Sequence, residues 1–261
     1  MSPALPPTGS VTRQPVRTIS YPGWAEFKRD LFFELYPEGR FRRGEYLFRG
    51  VGDGDWTLST TFDRRFAEVP LERRMRLWDD LITEWRQGCV DAGVPATVTD
   101  DDRALWALGQ HYGLPTRMLD WSMSPYVAAF FAFRSQLLSA AGGHRQVAVW
   151  VLHLNDPIWS GGGVEIVAAP ALADSRLRNQ GGRFTLCRAS VACLEDYAAR
   201  LTADVALTRC LIPASEAALA LGDLDAMGIT AHELFPDLTG LADLATMRAA
   251  LAVTHRAPSG H

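Results

Sequence analysis

This chain of 261 residues has few cysteines and no long apolar run. The four cysteines form neither a C-x-x-C pair nor a zinc-finger spacing with histidine, so we expect reduced, mostly buried thiols. No segment reaches the roughly 18–20 apolar residues that a membrane span needs. The N-terminal residues also lack the apolar core of a signal peptide. These absences predict a soluble, cytoplasmic protein that makes no membrane contact.

The chain also lacks an excess of positive charge. It has 26 Lys and Arg residues and 30 Asp and Glu residues, which gives a net charge of −4. This balance argues against a generally basic nucleic-acid binder, although local basic patches stay open. There is no P-loop, no H-E-x-x-H, no G-x-S-x-G and no cluster with metal-ligand spacing. We therefore expect a site that works without a metal.

The composition is that of a globular protein, with 48% hydrophobic and 21% charged residues. Residues 1–20 are rich in Pro, Ser and Thr, which predicts a disordered or loosely attached segment. No linker or internal repeat follows. We therefore expect one domain over residues 21–252 and a flexible tail over residues 253–261.

Apolar periodicity predicts the secondary structure. Helices are expected at about 24–32, 69–90, 101–109, 124–139, 215–227 and 239–251, and strands at 46–50, 147–152, 164–168, 183–186 and 206–212. Helices dominate the first part and strands the second, and regular βαβ alternation is absent. The pattern predicts an α+β fold in which a helix-rich first half packs on a mixed or antiparallel sheet.

The densest group of polar and aromatic residues lies in a connector just before the apolar helix that starts at Ser124-Pro125. Asp120 can fix His111 or pair with Arg117. His111 can act as an acid, a base or a donor to a ribose. The other residues singled out here are Gln110, Tyr112, Thr116 and Trp121, whose aromatic members can stack on a flat base. The connector forms either a pocket or a buried polar network.

Two further groups suit an anionic ligand. Arg49 ends an apolar strand beside Gly50, where its planar guanidinium can meet a phosphate or carboxylate. The alternative is a structural salt bridge. About ten residues later come Ser59, Thr60 and Thr61 with Arg64, whose hydroxyls can orient a ribose or phosphate, or else cap a helix.

Two positions in the second half complete the candidates. Gln180 precedes two glycines, and it can bond a ligand while Arg183 contacts phosphate. The alternative is a β-hairpin bend. Glu165 lies between apolar residues on a predicted strand. It is either a half-buried catalytic carboxylate or the solvent face of an alternating strand.

These motifs, in this order, resemble the FRG domain family, which is named for an aromatic-Arg-Gly motif. The matching segments span about residues 45–250, and such domains have mostly been described as having an uncertain role, often in bacterial and phage-associated genes. The residues that carry the resemblance are Phe48-Arg49-Gly50, Gln110 to Arg117 with Leu119-Asp120-Trp121, Ser124-Pro125 with Ala129 to Ala132, Gln180-Gly181-Gly182 with Phe184-Thr185, and Gly228-Ile229 with Leu234 to Leu241.

The aromatic-Arg-Gly strand followed by hydroxyl residues also resembles the arginine-type ADP-ribosyltransferases. That resemblance implies that Arg49 binds the pyrophosphate of NAD and that Ser59 or Thr60 contacts its ribose. It also implies an ADP-ribosyltransferase-like fold. The chain departs from the pattern because no Glu-x-Glu or Gln-x-Glu pair is present. Glu165, Glu195 or Glu216 would have to supply the carboxylate that supports the ribosyl cation.

The leading hypothesis is an NAD-dependent ADP-ribosyltransferase, a toxin or phage-defence effector of bacterial or phage origin. Its catalytic residues would be Arg49, His111 and Glu165. NAD would be the substrate, with an unknown macromolecular acceptor (protein or nucleic acid) and an inhibitor or antitoxin as partners. The NAD-binding residues would be Arg49, Ser59, Thr60, Tyr112, Thr116, Arg117 and Gln180. Alternatives are a non-catalytic module that binds a nucleotide or protein, and an enzyme acting on a phosphorylated substrate.

Overall fold

A computed structural model describes residues 15–35, 44–138, 144–168, 182–202 and 204–256. Seven strands of this part form one sheet in the order β1-β7-β4-β2-β3-β6-β5. β1 runs parallel to β7, and every other neighbouring pair is antiparallel. The strands are β1 (Val16–Ser20), β2 (Tyr46–Val51), β3 (Met118–Ser122), β4 (Gln146–His153), β5 (Val164–Ala168), β6 (Gly182–Cys187) and β7 (Leu207–Pro213). The predicted α+β class with a mixed sheet is confirmed.

Ten α-helices accompany the sheet in the described part of the chain. Those before β4 are α1 (Trp24–Leu35), α2 (Thr61–Arg65), α3 (Leu71–Asp91), α4 (Ala96–Thr99), α5 (Asp102–His111) and α6 (Pro125–Leu138). Those after it are α7 (Leu194–Leu201), α8 (Ala217–Ala226), α9 (Ala231–Leu234) and α10 (Leu238–Arg256). None of the described helices is both long and apolar enough to cross a membrane.

The hydrophobic core consists of three clusters, two on one face of the sheet and one on the other. Phe48 of β2 pairs with Ser122 of β3, so the two side chains share one face of the sheet. On the Phe48 side, α1, α6 and α8 cover β2, β4 and β7. On the same face, α2, α3 and α5 cover β3 and β6 around Met118. The opposite face packs on α7 and the 3-10 turn Pro157–Ser160. Two helical groups therefore share one face and meet above β2 and β3.

The sheet opens between β2 and β3. Phe48–Ser122 is their single register pair, whereas β2 has six pairs with β4 and β3 has five with β6. β2 and β3 are antiparallel, so the end of β2 at Val51 and the start of β3 at Met118 diverge together. This divergence creates a gap in the sheet beneath the meeting point of the two helical groups.

Helix α6 lies close against β2 because of one glycine. A Cβ atom on Gly50 would lie 1.7 Å from the main-chain oxygen of Ala128. Ser124 caps the helix as predicted, since its Oγ accepts from the main-chain N–H of Val127 at 3.3 Å. α6 is therefore fixed in position above the gap.

Three sequence predictions need correction. Residues 16–20, predicted to lie in a loosely attached segment, form β1 at the edge of the sheet, where they pair in parallel with residues 207–211 of β7. The connector before α6 contains strand β3, which holds Asp120 at an exposed position between buried neighbours. The last helix extends to Arg256, so residues 253–256 continue α10. The four cysteines are free, and three of them are buried, as expected.

Candidate functional site

A cleft of about 700 Å³ lies at the gap between β2 and β3. Its volume falls in the usual range for small-molecule sites. Described residues from seven places line it: β2 and the loop after it, α2, the end of α5, β3, α6, β6 and the segment after α9. They are Phe48 to Gly52, Trp56, Thr57, Ser59, Arg64, Ala107, Gln110, His111, Asp120 to Ser122, Ala128, Phe131, Ser135, Phe184 and Phe235. The site therefore collects groups that are distant in sequence.

Arg49 bridges the gap in the sheet. Its Nη1 donates to the main-chain carbonyl of Asp120 at 2.7 Å and lies 3.8 Å from Asp120 Oδ2. Burial lowers the pKa of the Arg49 guanidinium, the Asp120 carboxylate opposes this shift, and Arg64 adds to it. About a fifth of the Arg49 side chain is exposed. Because desolvation and Arg64 both disfavour its positive charge, an anion arriving in the cleft would be stabilised there.

Asp120 is held by a chain of polar side chains. Gln110 Nε2 donates to Asp120 Oδ1 at 2.5 Å, and Thr116 Oγ1 donates to Gln110 Oε1 at 2.9 Å. Thr116 is buried, and its donated proton fixes which end of the Gln110 amide faces Asp120. The Asp120 side chain itself is 51% exposed. The dense connector motif thus presents one oriented carboxylate to the cleft.

The loop after β2 supplies hydroxyls and an aromatic ring, and α2 supplies a cation beside them. Thr57 Oγ1 and Ser59 Oγ are hydrogen bonded at 2.8 Å, and Arg64 donates to the main-chain oxygen of Ser59. Trp56 is 54% exposed at the edge of the cleft, and its ring contacts His144 at 5.8 Å between centroids. An exposed indole in the same cleft as two arginines suits a flat base attached to a phosphate.

Glu195 anchors this loop from the second half of the chain. Both of its carboxylate oxygens accept from the main-chain N–H of Leu58, at 3.0 and 3.1 Å. Burial raises the pKa of Glu195, and the hydrogen bond from Leu58 opposes the shift. Glu195 therefore positions the hydroxyl segment beside it and is not one of the described residues that line the cleft.

Three of the predicted site residues line the cleft together, namely Arg49, Ser59 and His111. His111 ends α5, where Gly113 turns the chain with a φ of +84° that favours glycine. Tyr112 lies beside it, 72% exposed and in edge contact with the His111 ring, but does not line the cleft. The structure therefore brings the strand arginine, one hydroxyl and the histidine to one place.

Thr60, Thr116 and Arg117 are buried instead. Thr60 Oγ1 caps α2, since it accepts from the main-chain N–H of Asp63 at 3.1 Å, and it donates to Asp63 Oδ2. Arg117 is fully buried, with Nε 3.3 Å from Asp63 Oδ2, so it does not pair with Asp120 as the sequence suggested. Capping and a buried polar network, both considered as alternatives, account for these residues.

Glu165 and Glu216 are engaged elsewhere. Glu165 lies on edge strand β5, where it pairs with Arg103 and lies 3.8 Å from Arg188. β5 is three strand spacings from β2, or about 14 Å across the sheet. Glu216 accepts from the main-chain N–H of Trp24 at the start of α1. Neither carboxylate reaches the cleft, and Gln180 lies outside the described residues.

Sequence reasoning missed three features of the site. Trp56 is absent from the predicted site, although a lone tryptophan directly after the glycine- and aspartate-rich segment Gly52–Asp55 has no apolar periodicity that would bury it. Asp120 is expected from the sequence to fix His111 or pair with Arg117, and its exposure to the cleft follows only from its place in β3. Phe235 comes from the segment after α9, far along the chain from the motifs that line the rest of the cleft, and no local signal indicates it.

The molecule is thus an α+β protein with a basic, aromatic-lined cleft at a divergence in its sheet. The family model of the FRG domain matches residues 44–140 of the chain. The resemblance seen in the sequence reached about residue 250, whereas this match ends after α6. All but two of the described lining residues, Phe184 and Phe235, lie within it. No curated protein and no solved structure matches the chain.

Proposed function

We propose that this protein is an NAD-dependent ADP-ribosyltransferase whose substrate binds in the cleft between β2 and β3. The observation that carries the proposal is the grouping of Arg49, Ser59 and His111 along one cleft. The sequence resemblance assigns Arg49 to the pyrophosphate and Ser59 to the ribose. Arg64 supplies a second cation for the phosphates, and Trp56 supplies a stacking surface for a base.

In the proposed reaction the bond between ribose C1′ and the nicotinamide nitrogen breaks. Its electron pair goes to the nicotinamide ring, and the positive charge passes to the ribose. A hydroxyl or amine of the acceptor then forms a bond to C1′ and releases a proton. His111 lies where it can take that proton, since it lines the cleft at the exposed end of α5.

The test is incubation of the purified protein with NAD, followed by chromatography of free nicotinamide and by labelling of a cell lysate with tagged NAD. Arg49→Ala should reduce turnover by roughly thirtyfold or more, as expected when about 2 kcal/mol or more of charged phosphate recognition is lost. Arg65→Ala is the matched control, because Arg65 is an exposed arginine of α2 that does not line the cleft. Failure of the wild type to bind millimolar NAD, with no label on any target, rejects the proposal.

The acceptor is proposed to be a protein or a nucleic acid, and the activity to be that of a toxin or defence effector held in check by an inhibitor. Controlled expression in a bacterial host tests this. Growth should stop with the wild type and continue with Arg49→Ala at equal protein level. Equal growth in both cultures would contradict the toxin role and leave the transferase proposal to the assay with NAD.

A second function, a nucleotide-binding module without turnover, is favoured by one observation. No glutamate is among the described residues that line the cleft. In that case NAD or another nucleotide should bind the wild type, Arg49→Ala should weaken binding, and no product should form. Turnover that disappears with the same substitution would reject this reading.

A further inference from the structure

The cleft combines charges of both signs at close range. Arg49 and Arg64 provide positive charge, and Asp120 is the one carboxylate among the described lining residues. Arg49 Nη1 and Asp120 Oδ2 are 3.8 Å apart, on opposite sides of the gap between β2 and β3. A ligand with phosphates alone would satisfy the arginines and be repelled by Asp120.

Asp120 retains unused capacity for a ligand. An ionised carboxylate has about four lone-pair positions. One oxygen accepts from Gln110 at 2.5 Å, and the other is near Arg49 but beyond hydrogen-bond distance. Half of the side chain is exposed, so a cationic group of the ligand can approach it.

The orientation of Asp120 is built into the fold. Thr116 donates to Gln110 Oε1, which turns the amide donors of Gln110 towards Asp120. Thr116 is buried, so this chain starts in the core and ends at the cleft. A carboxylate that only filled space at the surface would need no such support.

We infer that Asp120 selects a ligand that carries a positive charge beside its phosphates, with Gln110 and Thr116 as positioning residues. The inference rests on the proposed function, and it names the feature of NAD that the cleft recognises. The nicotinamide ring of NAD is positively charged, whereas that of NADH is neutral, and the rest of the two molecules is the same. As the glycosidic bond breaks, the same charge moves to the ribose, where Asp120 also opposes it.

The experiment compares the affinities of NAD and NADH for the wild type and three variants by titration calorimetry, with free nicotinamide assayed in the same samples. Asp120→Asn should reduce the ratio of NAD to NADH affinity by about tenfold, because an amide keeps the shape and loses the charge. Thr116→Val should reduce the ratio less. Asp55→Asn is the control for net charge, since Asp55 is exposed and does not line the cleft.

The possible results separate the two proposals. A preference for NAD that falls in Asp120→Asn and is kept in Asp55→Asn supports the inference. Equal changes in NAD and NADH affinity overturn it and leave the proposed function standing. If the wild type binds neither dinucleotide, both are overturned. Unchanged melting temperatures for Asp120→Asn and Thr116→Val show that the affinities refer to folded protein.

Discussion

At the scale of single residues, the structure separates two arginines that the sequence presents alike. Arg49 reaches across an open gap and is partly exposed, whereas Arg117 is sealed in the core with Asp63 and Arg74. The former can exchange its contacts for those of a ligand. The latter holds the start of β3 against α2 and α3, and its role is to keep the fold.

Replacement of Arg117 should therefore destabilise the protein. Arg117→Met leaves the buried Asp63 carboxylate with the Thr60 hydroxyl and with Arg74, at 3.5 Å, as its remaining cationic partner among the described residues. We expect the free energy of unfolding to fall by about 3–5 kcal/mol, as when a buried ion pair loses one partner. Urea denaturation measures this, with Arg65→Ala as the exposed control, expected to change stability by about 0.5 kcal/mol or less. Equal stability of Arg117→Met and wild type would show that the pair contributes nothing.

The sequence shows which residues can serve a site but not which way each one faces. Arg49, Ser59 and His111 were chosen by residue type and position, and all three line the cleft. Arg117 was predicted on the same grounds but is buried. The sequence does not reveal this because its partner Asp63 lies 54 positions earlier. Glu165 fits a half-buried strand position, and only the distant Arg103 and Arg188 show that it forms ion pairs.

At the scale of elements, the contact between α6 and β2 fixes one wall of the cleft. Gly50→Ala would place a methyl group against the backbone of Ala128, which cannot turn away as a side chain can. Helix α6 would have to shift, and we expect the free energy of unfolding to fall by about 1–3 kcal/mol.

Gly88→Ala is the matched substitution. Gly88 lies within α3, where an added Cβ would meet nothing within 4 Å. Alanine is the better helix former, so this variant should gain about 0.4–1 kcal/mol. Opposite signs in thermal or urea denaturation confirm the prediction. A Gly50→Ala variant as stable as the wild type would show that α6 is free to move.

Elements with strong apolar periodicity were predicted within one or two residues, as for β4, whose six central residues are all buried. Two strands were not predicted. β1 is an edge strand in a polar segment, with partial burial only. β3 contains the exposed Asp120 at its centre. A charged residue there interrupts the run of apolar residues from which a buried strand would be predicted. In both cases the pairing partner, and not local propensity, makes the strand.

At the scale of the whole molecule, the matched segment depends on the rest of the chain. Residues 44–140 contain two strands, β2 and β3, with one register pair between them. Their extensive pairing is with β4 and β6, which lie outside the match. The family match therefore marks the residues that form most of the cleft, and the C-terminal half completes the sheet that holds them.

We accordingly expect a fragment of residues 44–140 not to fold by itself. Removal of β4 and β6 would leave both strands with unpaired edges and would expose the apolar faces of α5 and α6. Circular dichroism and NMR of the fragment, with residues 15–256 as the folded comparison, test this. A cooperative unfolding transition in the short fragment would contradict it.

The single register pair between Phe48 and Ser122 divides the sheet into two parts, one on the β2 side and one on the β3 side. Each part packs on its own group of helices, so we expect the sheet to bend most easily between β2 and β3. We therefore expect a bound ligand to change the distance between Arg49 and Asp120 more readily than distances within either part of the sheet. A ligand that binds both residues would restrict the motion of the two parts of the sheet relative to each other. It would thereby make the whole molecule more rigid, and not only its binding site.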